Sequence, residues 1–136
     1  METVRFFDAT NQEFTPLVDV FSGRDTKIPE VELASTSVRV HHSSEGGLQL
    51  FELQLDPGTR GESHAHVEDE IIVVVDGELR FGAHVLGVGS SVMVPGGTLY
   101  GFVAGPEGCR FLNFRPRADG SYIPRAEFAD QNRKRY

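Results

Sequence analysis

A second cysteine is missing from this sequence, since Cys109 is the only one among the 136 residues. No intrachain disulfide can form, and a reducing, cytoplasmic location is therefore expected. A catalytic thiol needs a neighbouring base and a lowered pKa, and neither is evident around Cys109. We therefore predict that Cys109 is a buried structural thiol.

Positive charge is also scarce, with 13 Lys and Arg against 20 Asp and Glu and a formal net charge of −7. Nucleic acid is not an expected partner, because proteins that bind it concentrate basic residues on one face. The basic stretch at residues 133–135 is interpreted as a solvated tail.

Long apolar runs are absent as well, and the longest is the five-residue stretch Ile71–Val75. A membrane-spanning helix needs about 20 such residues, so a membrane is not an expected partner. A basic segment followed by an apolar stretch is not found near Met1, and a secretory leader is therefore not expected.

Helix-forming runs are rare, whereas glycine occurs 15 times and proline 7 times. From Ser37 onward, short β-prone segments alternate with turn signals at intervals of about 6 to 12 residues, which predicts an all-β sandwich or barrel. The predicted strands are 38–42, 48–55, 64–66, 70–75, 79–81, 84–86, 91–94, 99–103 and 110–115.

The chain is predicted to form one barrel, residues 37–118, between an N-terminal arm, residues 1–36, and a C-terminal extension, residues 119–136. The arm is irregular and is expected to pack on the barrel or on a partner. Its apolar residues between Phe6 and Phe21 would otherwise lie in water, so a homodimer is expected. Within the extension, residues 124–135 are predicted to hold one short helical turn.

Two histidines lie directly before the most apolar run. His64 and His66 are two residues apart and therefore share one face of a strand. Glu70 has the same parity and reaches the same point if its strand pairs beside theirs. Two neutral imidazoles and one carboxylate form a facial ligand set for a divalent transition metal and leave coordination positions open. The sequence therefore predicts His64, His66 and Glu70 as metal ligands inside the barrel.

A wider pattern of glycines encloses these ligands, and with them the sequence resembles the cupin family. The first cupin motif is complete, with Gly58, His64, His66, Glu70 and Gly77 at its spacing. The second motif is matched in part, by Gly89, Pro95 and Gly97. The resemblance covers about residues 48–104. It implies a double-stranded β-helix of the jelly-roll kind and a metal held by the first motif, with iron expected first and zinc, manganese or nickel as alternatives.

The second motif departs from the family at its histidine, which falls on Tyr100, and at its asparagine, which falls on Ala104. Three interpretations stay open: Tyr100 donates a hydrogen bond to a bound water, dioxygen or substrate; Tyr100 ligates the metal; or the site has drifted and binds metal weakly. We favour the first and take Tyr100 as the candidate catalytic residue.

Other cavity residues follow from strand parity. Thr98 and Phe102 share the face of Tyr100, and Met93 is expected to line the same pocket. His84 is predicted at a hairpin tip, and one of the adjacent pair at 41 and 42 is a candidate substrate contact. On the last strand, the inward set is either Phe111, Asn113 and Arg115, or Arg110, Leu112 and Phe114.

Three functions fit this pattern. The favoured one is a small metal-dependent, oxygenase-like enzyme that acts on a small organic molecule in the barrel. The second is a non-redox lyase, isomerase or cyclase in which the metal is a Lewis acid and Tyr100 an acid or base. The third is a binding module without turnover, which the fold also allows.

Overall fold

β-Strands make up about half of residues 3–128, the part of the chain that the computed structural model describes. The strands are β1 (Thr15–Pro16), β2 (Thr36–Ser43), β3 (Gln49–Leu55), β4 (Arg60–Ala65), β5 (Glu70–Phe81), β6 (His84–Leu86), β7 (Ser91–Val94), β8 (Tyr100–Arg115) and β9 (Ile123–Pro124). The helices are α1 (Leu17–Val20) and α2 (Glu30–Ala34), with a 3₁₀ turn at Ala9–Asn11. Residues 125–128 are also helical, and the rest of the predicted C-terminal turn lies outside the described residues. Within residues 3–128, none of the helices has the length and apolar character that crossing a membrane requires.

The strands pair antiparallel throughout the described sheet, in the order β1-β2-β3-β8-β4-β9. β5 also pairs with β8, and β6 and β7 pair with β5. The sheet curls on itself, and the predicted all-β, jelly-roll architecture is confirmed.

Two of the predicted strand breaks are wrong. The residues between predicted strands 70–75 and 79–81 continue the single strand β5, and those between predicted strands 99–103 and 110–115 continue β8. The pairing register shifts on both sides of Asp76 and Gly77, so these residues form bulges that bend the strand and do not reverse it. Gly77 has φ of 70°, and a Cβ there would collide with the carbonyl of Gly108, so only glycine fits.

The core lies between the concave faces of the curled sheet. Its buried members are Leu55, Ile72, Val74, Leu79, Phe102, Ala104, Cys109 and Phe111. Burial raises the pKa of the Cys109 thiol to about 12, so it stays protonated at neutral pH. Cys109 is thus a buried, unreactive thiol, in accord with the prediction.

Phe7 and Phe14 of the N-terminal arm pack on the outer face of β2, whereas α1 and α2 of the arm lie over the concave face of the sheet. Thr15 pairs with Val38 across β1 and β2. The Arg39 guanidinium lies 4.4 Å from the centre of the Phe14 ring, an attractive cation–π contact. Phe6 remains 90% exposed. The arm therefore covers only part of its apolar surface within one chain, and the homodimer stays a prediction.

Candidate functional site

A cavity of about 290 Å³ opens between the concave face of the sheet and the two short helices. Its wall is mostly apolar, and its polar side chains come from α2, from β2, from β4 and the residue that follows it, from β8 and from the segment after β8. The alternative left open for β8 is decided, because Phe111, Asn113 and Arg115 line the cavity. An apolar wall of this kind excludes bulk water from the few polar groups it contains.

The two predicted histidine ligands lie together on β4 and directly after it. Both are buried, and their ring centres are 4.8 Å apart. His64 donates its Nδ1–H to the carbonyl of Glu62 at 2.6 Å, and His66 donates its Nδ1–H to the carbonyl of Ser121. Because a carbonyl can only accept, each neutral ring carries its proton on Nδ1 and keeps a lone pair on Nε2. Histidines that bind metals are usually held in this way.

The protonation state of both rings also suits a ligand. Burial lowers the pKa of His64 to about 4, and burial together with the charge of Arg115 lowers the pKa of His66. Both imidazoles are therefore neutral at neutral pH, the form that can bind a cation.

Glu70 is the third predicted ligand, and it is only 1% exposed. Its Oε2 accepts hydrogen bonds from Asn113 at 2.8 Å and from Arg115 at 3.3 Å. Its Oε1 has no hydrogen-bond partner among the described residues. A buried carboxylate oxygen without a partner is costly, and a cation would satisfy it.

The condition under which Glu70 would reach the histidines, that its strand pairs beside theirs, is not met in the described sheet. β5 and β4 each pair with β8 and not with each other. Within residues 3–128, no three His, Cys, Asp or Glu side chains converge closely enough to form a ready metal site. The structure thus places the two imidazoles side by side, but the Glu70 carboxylate does not lie close enough to share a metal ion with them.

Tyr100 stands opposite His64 in the pairing of β8 with β4, and their ring centres are 4.7 Å apart. Burial, reinforced by the negative charge of Glu70, raises the pKa of the phenol above its usual value. Tyr100 is therefore protonated and suited to donate a hydrogen bond next to the histidines.

The segment after β8 contributes a wall that sequence reasoning missed. Asp119 accepts hydrogen bonds from the backbone N–H groups of Glu68 and Ser121, at 2.9 and 2.8 Å. The Tyr122 ring stacks on His64 with the ring centres 4.5 Å apart and 13° between the planes. Asp119 and Tyr122 lie more than 50 residues from the histidines, and no motif spacing links them, so only the fold reveals them.

The turn of the second motif lies against the first. Gly97 donates its backbone N–H to the carbonyl of His66 at 2.8 Å, and Gly96 donates to Asp69 at 2.7 Å. Gly97, which matches the second motif, and its neighbour Gly96 thus fix the backbone beside the histidine pair.

Several expected cavity residues lie elsewhere. Thr98 is exposed and Met93 is 62% exposed, because the outer face of β7 meets solvent. His41 faces the outside of the barrel, where it bonds to Glu52 at 2.8 Å. His84 is exposed beside the turn between β5 and β6, as predicted.

Comparison with known proteins shows which protein family and which solved structures the barrel is similar to. Residues 51–114 match the family model of the cupin domain. Among solved structures, the chain is similar to KdgF from Halomonas sp., with 21% identity, a TM-score of 0.64, and coverage of 85% of this chain and 96% of that chain. It is also similar to the polyketide cyclase RemF from Streptomyces resistomycificus, with 18% identity, a TM-score of 0.69, and coverage of 96% and 94%.

A third similar structure is oxalate decarboxylase from Bacillus subtilis, at 20% identity and a TM-score of 0.60. The match covers 70% of this chain and 29% of that chain. Identities this low show the shared fold alone. None of the curated proteins matches the sequence significantly.

Proposed function

The barrel of this chain belongs to the cupin family, and we propose that it is a metal-dependent enzyme that transforms a small organic molecule inside the barrel. One arrangement carries the proposal. His64 and His66 are neutral, and each keeps Nε2 free while Nδ1 is held by a backbone carbonyl. Nearby, the buried Glu70 carboxylate keeps one oxygen without a partner among the described residues.

The types of donor suit a divalent transition metal, and binding requires the Glu70 carboxylate to move closer to the two histidines than it lies in this structure. Nε2 of His64, Nε2 of His66 and Oε1 of Glu70 would hold it, as two imidazoles and one carboxylate do in facial sites. Iron is proposed first, with manganese, zinc and nickel as alternatives; the similar oxalate decarboxylase of Bacillus subtilis has Mn(II) centres. When bound, the metal supplies a Lewis acid with open coordination positions.

The chain's own residues bind and orient the substrate. The Tyr100 hydroxyl donates a hydrogen bond to a substrate oxygen, because burial keeps the phenol protonated. Asn113 and Arg115 hold one oxygen of Glu70, which fixes the carboxylate beside the cavity. The apolar wall excludes water and selects a substrate with an apolar body.

The favoured activity is oxygenase-like, with iron as the metal. A non-redox cyclase, lyase or isomerase is the second candidate, because a hydrogen bond from Tyr100 to a substrate oxygen and a Lewis-acidic metal together need no redox step. The similar structure RemF is a polyketide cyclase, so a barrel of this fold can accommodate a reaction of that kind.

Elemental analysis of protein purified without added metal tests the proposal, followed by titration of the chelated protein with Fe(II), Mn(II) and Zn(II). We expect one equivalent of metal in the unmodified protein and in His84→Ala, and none in His64→Ala. Failure of the unmodified protein to bind any of the three ions would reject the proposal. Iron together with oxygen consumption supports the oxygenase, whereas zinc or nickel supports the non-redox enzyme.

A further inference from the structure

A second cleft, of about 540 Å³, lies outside the barrel cavity. The residues around Lys27 form one side of this outer cleft, and the residues around Ile123 form the other. Five residues line both the barrel cavity and the outer cleft: Phe21, Ile28, Gly120, Ser121 and Tyr122. These residues stand where the two spaces adjoin.

Tyr122 is held by its own packing and by its two neighbours in the chain. Its ring stacks on His64, and the residues on either side of it are bonded to β4 and to the segment that follows β4. Ser121 accepts a hydrogen bond from Val67 through its hydroxyl at 2.9 Å, and Ile123 pairs with Ala65. A ring anchored on both sides and packed on a buried imidazole forms a rigid wall.

The outer cleft also has an ion pair, between Lys27 and Glu127 at 2.8 Å. Both side chains are about half exposed, and exposed pairs of this kind contribute little. The ion pair therefore does little to separate the barrel cavity from the outer cleft, and the packed ring of Tyr122 is the stronger barrier between them.

We propose that Tyr122 determines substrate size: its ring closes the barrel cavity against the outer cleft and limits the length of the molecule that can lie beside His64. The inference rests on the proposed function in one respect, that the substrate occupies the barrel cavity. A volume of about 290 Å³ is at the lower end for ligand pockets. The substrate is accordingly compact, with about one ring as its apolar body and an oxygen-bearing group at the end near Tyr100.

The test uses two alcohols that share a head group and differ in length, benzyl alcohol and 4-phenylbenzyl alcohol. Their site-specific affinities are measured by NMR titration of the metal-free and the Zn(II)-treated protein. In the unmodified protein, benzyl alcohol should bind at least tenfold more tightly than the longer alcohol. Tyr122→Ala should remove this preference by joining the cavity to the outer cleft, and Tyr122→Phe should keep it.

Ile123→Ala is the matched control, because Ile123 lines the outer cleft and, in the described chain, not the barrel cavity. Ile123→Ala enlarges the outer cleft without removing the ring of Tyr122, so it should leave the preference for benzyl alcohol unchanged. Tyr122→Leu, a shorter apolar side chain, replaces Tyr122→Ala if the alanine variant does not fold. Equal affinities in the unmodified protein, or the same change in Ile123→Ala as in Tyr122→Ala, would overturn the inference.

The two proposals fail separately. Size selection in metal-free protein does not depend on metal binding. A protein that selects the short alcohol but binds no metal contradicts the proposed function alone. A protein that binds metal but does not distinguish the alcohols contradicts the role of Tyr122 alone.

Discussion

His66 donates a hydrogen bond from its ring to the backbone carbonyl of Ser121, 55 residues further along the chain. This contact joins the segment after β8 to the histidine pair, and β9 continues the connection by pairing with β4. Both Ser121 and β9 lie beyond residues 51–114, the part that matches the cupin family model. The candidate site is therefore completed by a segment that the family pattern does not include.

Asp119 should support metal binding without touching the metal. Its carboxylate accepts the N–H of Ser121 and so fixes the carbonyl that holds His66. We expect Asp119→Ala to weaken metal affinity about tenfold, the lower end of the loss for residues that orient ligands. Competition with a chelator measures the affinity, and Asp19→Ala, at an exposed position of α1, is the control. Equal affinities in the two variants would contradict this role.

The predicted ligands should be needed for metal but not for the fold. We expect His64→Ala and Glu70→Gln to lose the bound metal and to retain the β-sheet spectrum by circular dichroism, because the barrel is held by strand pairing and core packing. Glu70→Gln is chosen because glutamine keeps an oxygen that can accept from Asn113 and Arg115, whereas removal of the side chain would leave the buried Arg115 guanidinium with only the carbonyl of Asp119 as its hydrogen-bond partner among the described residues. A full equivalent of metal in either variant would show that the ligand assignment is wrong.

The sequence predicted the architecture and the adjacency of the histidines, because both follow from local rules. Residues two apart share a strand face, and that placed His64 with His66. It did not predict the continuity of β5, since a glycine such as Gly77 signals a turn and a bulge equally well. The position of Glu70 relative to the histidines depends on which strands pair, and parity alone does not decide that.

Some of the residues predicted to line the cavity do line it and others do not, for the same reason. Phe102 shares the parity of Tyr100 and lines the cavity, but Met93 is on the exposed face of an outer strand. Tyr122 could not be predicted, because its place against His64 results from a pairing of β9 with β4 that no local pattern signals.

Tyr100 should act on the exogenous ligand and not on the metal. We expect Tyr100→Phe to keep metal affinity within about tenfold and to reduce activity or ligand binding, because only a hydrogen-bond donor is lost. Tyr100→His should tighten metal binding by adding a third imidazole as the fourth protein ligand. Spectra of the protein loaded with ferric iron provide the check. A visible tyrosinate charge-transfer band that disappears in Tyr100→Phe would mean that Tyr100 is a ligand.

The exposed apolar surface of the N-terminal arm predicts a homodimer. Phe6 is 90% exposed although the arm packs on its own barrel, and a second chain would cover it. Light scattering at micromolar concentration should give twice the mass of one chain, and Phe6→Ser should weaken the association. The control is Val85→Ser, at another exposed apolar position. A monomer mass for the unmodified protein would rule the dimer out.

The metal-free protein should lose stability in mild acid through His64. Its pKa is about 4 in the folded chain because the ring is buried, against an ordinary value of 6.5. Between these values the unfolded chain binds the proton more readily, so the free energy of unfolding falls as the pH drops from 6.5 towards 4. The contribution of His64 is complete above about pH 6.5, and about 2 kcal/mol of it should be lost by about pH 5.

Urea unfolding of metal-free protein at pH 7 and pH 5 measures this loss. Between pH 7 and pH 5, the free energy of unfolding of His64→Gln should fall by about 2 kcal/mol less than that of the unmodified protein, because glutamine does not titrate. His84→Gln, at an exposed position, should behave like the unmodified protein. The same pH dependence in His64→Gln and His84→Gln would show that His64 is not the buried, neutral imidazole on which the proposed metal site depends.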